Sequence, residues 1–300
     1  MNKSENKLGK PQEYYRERYL RNLPTAFCAG CGNGTILNCF VRAVDALIQD
    51  KQLQHQNLLS VSGIGCSAWI PSPHFKGDTL HTTHGRAIAF ATGAKIMNPK
   101  LQVTVFTGDG DGAAIGGNHL IHAARRNIPM TVILVNNLNY GMTGGQSAPT
   151  TPLHVQTSTY PKNPETPFDL SQLMLGAGAT YVARWTTYYV NEIVDTLKEA
   201  MIHPGFSFIE IISQCPTYAA RFLTEFQTSL TPKEQEQFRR QPGAWMLKAL
   251  KGKKTGVANG HPRYQITLQE KPIDLGVFKQ ERRPTLIDYL QGLWNNKGDA

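Results

Sequence analysis

The absences in this sequence narrow its function before any motif is considered. No stretch of about 18 consecutive apolar residues occurs in its 300 residues, which excludes a membrane-spanning helix. The opening MNKSENKLGKPQEYYRERYLRN is polar and lacks an apolar secretion core, so the expected location is the cytoplasm, where thiols stay reduced. Five cysteines in that compartment argue against a disulfide framework and for metal or redox use. Carboxylates are scarce in the middle of the chain: residues 60–160 contain Asp78, Asp109 and Asp111, and no Glu. There is neither an aromatic–basic interleaving nor a helix-turn-helix pattern, so the net charge of +9 does not read as a nucleic-acid surface. From Thr231 onward 13 Lys and Arg stand against 7 Asp and Glu, which places +6 of that charge in the last 70 residues. An acidic protein partner fits such a surface as well as plain solvation does.

At 40% hydrophobic, the chain is long enough to bury a substantial core. Between about residues 30 and 215, short apolar runs alternate with helical patterns. Leu58–Ser62, Val103–Phe106, Thr131–Val135 and Phe206–Ile212 read as buried strands. Ile36–Ile48, Gly85–Met97, Ile115–Arg126 and Asn191–Met201 read as helices, the second stopped by Asn98-Pro99. The expected fold is therefore α/β, a parallel sheet flanked by helices, with ligands at the carboxyl ends of the strands. Residues 143–168, rich in Thr, Pro, Gly and Ser, are too long for a simple connection and suggest a functional loop. Residues 1–22 read as a basic N-terminal extension and 23–218 as the cofactor-bearing domain. The alternation fades beyond about 219, where 219–300 is expected to be an extended C-terminal arm contacting another subunit, ending in an amphipathic stretch at Thr285–Trp294.

Two motifs close buried strands. Thr107-Gly108-Asp109-Gly110-Asp111-Gly112 opens into a helix, and Asn136-Asn137-Leu138-Asn139-Tyr140-Gly141 follows the next strand. Adjacent strand ends would let Asp109 and Asn137 converge, and a carboxylate with an amide oxygen suits Mg²⁺ bound to a phosphorylated ligand. The glycines admit a diphosphate close to the backbone, and the helix N-terminus favours its charge. Alone, GDGDG is also compatible with an ordinary acidic turn. Cys28-Ala29-Gly30-Cys31 is a CxxC on a glycine turn, which fits zinc, a redox pair or an iron–sulfur cluster. Cys66 and Cys215 lie beside loops at strand ends, whereas Cys39 falls inside a helical pattern and reads as a small buried hydrophobe.

GDG followed after some two dozen residues by a double Asn resembles the signature of thiamine-diphosphate enzymes. YGMTGGQSAPTTP from Tyr140, the segment RRNIP and His84-Gly85-Arg86 resemble one branch of them, the β subunits of 2-oxoacid:ferredoxin oxidoreductases. His84 and Arg86 are also compatible with a helix-start surface. The resemblance implies Mg²⁺ on Asp109, Asn137 and the carbonyl of Asn139. It implies thiamine diphosphate against Ile64, Gly65, His84, Gly110, Asp111, Tyr140, Gly141, Met142 and Thr143. It further implies a [4Fe–4S] cluster on Cys28, Cys31, Cys66 and Cys215, with Cys₄ zinc as the competing reading. The implied reaction joins a 2-oxoacid and CoA to give acyl-CoA and CO₂, or runs in reverse, passing electrons to ferredoxin. HTTHGRAIAFATG looks more like 2-oxoglutarate-type than pyruvate-type members; a non-redox decarboxylase subunit is the remaining alternative. No catalytic side chain is assigned within the chain. The glutamate that maintains the cofactor's reactive tautomer is expected from an α subunit, which would also supply most 2-oxoacid and CoA contacts. The expected assembly is a heterodimer or a dimer of heterodimers, with no nucleic acid and no membrane among its partners.

Overall fold

Buried apolar runs separated by helices leave few ways to shelter every backbone polar group, and a parallel sheet covered on both faces is the usual one. The computed structural model describes residues 10–222, 231–268 and 271–295. The first half runs α1 (Gln12–Tyr19), α2 (Gly32–Gln49), β1 (Leu58–Ser62), β2 (Asp78–His81), α3 (Ala87–Met97) and β3 (Gln102–Gly108). A π-helical turn, Asp109–Ile115, then leads into α4 (Gly117–Arg125), β4 (Met130–Asn136), α5 (Leu170–Gly176), β5 (Tyr181–Thr186), α6 (Val190–Ile202) and β6 (Phe206–Ile212). Beyond residue 230 lie α7 (Pro232–Arg240), α8 (Pro242–Ala249), β7 (Lys253–Ala258), β8 (His261–Leu268), β9 (Lys271–Gln280) and α9 (Leu286–Asn295).

Among the described residues nine strands make one sheet, in the order β2-β1-β3-β4-β6-β5-β9-β8-β7. The six strands from β2 to β5 are parallel. Every residue of β4, β5 and β6 is buried. On one face α1, α2 and α6 pack around Phe40, whose ring meets Phe75 at 5.1 Å and Phe106 at 4.9 Å, both edge-on. On the other, α3, α4 and α5 cover Val105, Val132 and Phe208. None of the helices among the described residues is long and apolar enough to cross a membrane.

The parallel core agrees with expectation; the last third does not. The described part of 219–300 is not an extended arm. β9 pairs antiparallel with β5, and β8 and β7 continue the same sheet. Leu275 and Val277 are fully buried. These strands were hidden in the sequence because they are amphipathic or fully exposed, as in Lys253-Lys254-Thr255-Gly256-Val257-Ala258, so they lack a continuous apolar run. Of the expected N-terminal extension, residues 1–9 lie outside the described residues. The remainder is docked: Tyr15 and Tyr19 are buried, and Asp45 accepts from Tyr19 (2.8 Å) while pairing with Lys10 at 2.9 Å.

Asn127, within RRNIP, ties the returning C-terminal segment to the parallel sheet. Its Oδ1 accepts from Phe206 N (2.8 Å) and Thr180 Oγ1 (2.9 Å), while Nδ2 donates to the carbonyls of Arg283 (3.0 Å) and Pro284 (3.1 Å). It holds a left-handed φ of 49°, which asparagine tolerates better than most residues. Asn127→Ala should lower unfolding stability by about 2 kcal/mol, because the buried Phe206 N–H loses this acceptor and two carbonyls of the returning segment lose their donor. An unchanged midpoint in urea would contradict this role.

Candidate cofactor and metal site

The carboxyl ends of β1, β3 and β4 open on one cleft. Its lining contains all the residues expected to meet the cofactor: Ile64 and Gly65 after β1, His84 before α3, and Gly110 and Asp111 after β3. Tyr140, Gly141, Met142 and Thr143 after β4 complete the set. Asp109, Asn137, Asn139 and Cys66 share the lining.

Asp109 is buried. Its Oδ1 accepts from Gly110 N at 2.9 Å and its Oδ2 from Thr150 Oγ1 at 2.6 Å. No ion pair with a cationic side chain is present among the described residues, and burial raises the acid to about 7. One terminal amide atom of Asn137 lies 2.6 Å from the Asn139 carbonyl and 3.2 Å from Asp109 Oδ1. Without a cation, the Asn137 NH₂ must turn there to donate to both. With one, the same position presents an oxygen, giving a carboxylate, an amide and a main-chain carbonyl. Neighbouring ligands of an octahedral Mg²⁺ at 2.0–2.1 Å stand about 3 Å apart, which these separations bracket. The three groups therefore fit the ion.

The double asparagine divides its work. Asn136 donates to Glu210 Oε1 at 2.8 Å and accepts from Leu138 N at 3.2 Å, so it shapes the turn rather than facing the cleft. Leu138 takes a left-handed φ of 65°, a strained state for a leucine, and its carbonyl is held by Thr151 Oγ1 at 2.7 Å. Glu210 is clamped in turn by Arg184 Nε at 2.7 Å and Ser171 Oγ at 2.9 Å.

Asp111 lines the cleft, but its carboxylate is engaged by three segments. Oδ1 accepts from Ile64 N (3.1 Å) and Gly85 N (2.7 Å), and Oδ2 from Thr107 Oγ1 (2.6 Å). A Cβ at position 63 would come 2.1 Å from this carboxylate, so only glycine lets the β1 loop approach. His84 Nδ1 lies 2.8 Å from Asp111 Oδ1, yet too bent for a hydrogen bond, and it has no such partner among the described residues. Thr150 and Glu210 escaped the sequence reading, which took Asn136 only as half of the double Asn. A glutamate inside the apolar strand FSFIEII was the one available signal.

Four of the five thiols gather beside the cleft. Charge on Cys215, Cys66 or Cys28 acts on Cys31, and charge on Cys215, Cys28 or Asp109 acts on Cys66. Burial is the main cause that raises Cys31 to about 12 and Cys66 to about 11. Cys39 is buried elsewhere and senses Arg42 but none of the other thiols. Cys215 Sγ lies 3.7 Å from where a Cβ on Gly141 would stand, placing this thiol against the cleft wall. Among the described residues no three His, Cys, Asp or Glu side chains close on a point that would hold a single metal ion. Four thiolates around one Zn²⁺ stand about 3.8 Å apart, given Zn–S bonds near 2.3 Å. Four cysteine thiolates are also the donor set that a [4Fe–4S] unit takes.

The cleft holds about 80 Å³, well short of the roughly 300 Å³ at which cofactor pockets begin. Its rim is apolar: Ile64 and Met142 in the lining, and Ile115 against Gly85, are exposed. Half a site with an apolar rim is what a second polypeptide would complete.

Asp109 also makes metal-free stability depend on pH. Its folded acid binds protons up to about 7 and the unfolded one only to about 3.8, so stability from this group falls as pH rises between them. Thermal melts of the metal-free chain should show this fall, and Asp109→Asn should flatten it. A slope unchanged by that substitution would contradict the assignment.

Comparison with known proteins agrees with this geometry. Residues 63–211 match the thiamine pyrophosphate enzyme, C-terminal TPP binding domain. The 2-oxoglutarate synthase subunit KorB of Methanothermobacter thermautotrophicus is 52% identical over 283 residues, covering 93% of this chain and 92% of the relative. The subunit of the same name from Archaeoglobus fulgidus is 46% identical over 279 residues, covering 92% of each. The 2-oxoglutarate:ferredoxin oxidoreductase of Magnetococcus marinus, solved with 2-oxoglutarate, coenzyme A and succinyl-CoA bound, superposes with a TM-score of 0.74 at 32% identity. That match covers 94% of this chain and 90% of the other. With the diphosphate-type cleft and the arrangement of strand ends, these likenesses establish that the chain belongs to the thiamine-pyrophosphate-binding β subunits of the 2-oxoacid:ferredoxin oxidoreductase family.

Proposed function

We propose that the chain is the β subunit of a CoA-dependent 2-oxoglutarate:ferredoxin oxidoreductase, acting with an α subunit in the cytoplasm as a heterodimer or dimer of heterodimers. It would interconvert 2-oxoglutarate and succinyl-CoA plus CO₂, with thiamine diphosphate, Mg²⁺ and a [4Fe–4S] cluster held by residues 23–218. The observation that carries this reading is the meeting of an oxygen-ligand set and four thiols at one cleft. The names of the relatives and the ligands of the structural neighbour favour 2-oxoglutarate over pyruvate.

Asp109, Asn137 Oδ1 and the Asn139 carbonyl would hold Mg²⁺; Cys28, Cys31, Cys66 and Cys215 would hold the cluster. When bound, the cofactor would supply the carbon nucleophile and electron sink for decarboxylation, and the cluster a one-electron outlet. The chain's own share is placement. Thr150 orients the Asp109 carboxylate, Asp111 fixes the β1 loop and Gly85 around the cleft, and Asn136 sets the turn that presents Asn137. Cys66 lines the same cleft as Asp109 and Asn137, so the residues that would hold the cluster adjoin those that would hold the metal.

Asp109→Asn should weaken Mg²⁺-dependent retention of thiamine diphosphate by about 100-fold or more while leaving the iron spectrum intact. Unchanged cofactor content would refute the metal assignment. Anaerobically purified protein should carry about four irons per chain, reduced by Cys215→Ala and untouched by Cys39→Ala. The opposite pattern would mean a different set of thiols. Ile115→Glu, which places a charge on the apolar rim, should weaken co-purification with the α subunit; undiminished association would remove the rim from the interface.

A further inference from the structure

The cysteine turn reaches the surface: Cys28, Ala29 and Gly30 are exposed. Helix α8 crosses it. Gly30 has a φ of +76°, and the Cα of Gly243 lies 3.2 Å from where a Gly30 Cβ would stand. A Cβ on Gly243 would come 2.7 Å from the Gly30 carbonyl, so the two backbones touch. The far end of the helix is pinned by Thr186 Oγ1, which donates to the Leu250 carbonyl at 2.8 Å. Beside it the Thr187 methyl lies 2.9 Å from the Gly32 Cβ position. Helix α8, about 12 Å long, therefore runs from Gly30 in the CxxC turn to the end of β5. Its Met246 packs with Cys215, Ala219 and Ala220 beneath.

This cover is strongly basic. Residues 231–258 contain seven Lys and Arg against two Glu. Lys248 on α8, and Lys251, Lys253 and Lys254 just after it, are exposed. None of the four pairs with a carboxylate among the described residues; Lys251 Nζ lies 5.7 Å over the Tyr188 ring. A cluster of unpaired cations beside an electron outlet attracts and orients an anionic protein, chiefly by raising its encounter rate.

We propose that the basic flank formed by Lys248, Lys251 and Lys254 is the docking surface for an acidic one-electron carrier protein, whose acceptor is thereby brought over the Cys28–Cys31 turn. The inference rests on the cluster assignment above. Each docking event moves one electron from the reduced cluster to the carrier and reoxidises the cluster, with no bond made or broken. Two carriers leave reduced for each 2-oxoglutarate oxidised with CoA to succinyl-CoA, CO₂ and a proton.

The test uses the αβ holoenzyme, with an acidic [4Fe–4S] ferredoxin and methyl viologen as alternative acceptors. Lys248→Glu/Lys251→Glu/Lys254→Glu should raise the KM for ferredoxin at least tenfold at low salt and flatten its salt dependence, with viologen reduction and iron content unchanged. Lys100→Glu, beyond the opposite end of the roughly 20 Å strand β3, serves as control and should change neither. An unchanged ferredoxin KM in the triple variant would overturn the proposal. So would loss of the α subunit, which would make this face a subunit contact. Failure of the cluster assignment would show in the unaltered enzyme, as protein without iron that reduces neither acceptor.

Discussion

Burying a carboxylate away from water and from any cation is among the more costly things a fold can do. Asp109 is 2% exposed, and within the chain two neutral donors are its firmest support. Much of the surrounding architecture follows from supporting that group. The π-helical turn at Asp109–Ile115 starts directly at the strand end, and π turns of this kind often mark functional positions. Thr150 reaches in from a loop 41 residues away, and a buried Glu210–Asn136 contact shapes the neighbouring turn. A divalent cation would turn this destabilising charge into a ligand, and the Asn137 amide beside it can adopt either orientation.

The same arrangement explains why the chain needs company. The cleft is shallow, its rim is apolar, and residues 60–160 contain no glutamate. A cofactor enclosed on one side only would remain wet, and charges in water are weakly focused. Closure by a second chain would both complete the pocket and exclude solvent. The thiols sit on the flank of the cleft, with Cys66 in its lining and Cys28 at the surface, so a cluster held by them would lead outward from the cofactor.

The parallel core was legible because buried strands are continuous apolar runs: Leu58–Ser62 and Phe206–Ile212 were read to the residue. The positions of Asp109, Asn137, Cys66 and Cys215 were legible because each follows a buried apolar run and so lies beyond a strand end, whereas Cys28 and Cys31 stand in the turn before α2. β5 and the antiparallel β7–β9 were missed for opposite reasons. β5, Tyr-Val-Ala-Arg-Trp-Thr, hides a buried arginine whose partners, Glu210 and Asp169, are distant in sequence. β7 has no buried residue at all. Thr150 and Asn127 act through contacts that only the folded chain creates, and no local pattern marks them. The C-terminal third read as an arm because charge density conceals amphipathic strands.

In the proposed enzyme, cofactor and cluster form one electron path within this chain. That path is tested most directly by adding 2-oxoglutarate to the anaerobic αβ enzyme and following the visible absorption of the cluster. Bleaching should require Mg²⁺ and thiamine diphosphate, be completed by CoA, and be lost in Asp109→Asn although dithionite still bleaches that variant. A cluster that dithionite reduces but 2-oxoglutarate never does, or a protein carrying zinc and no iron, would contradict it.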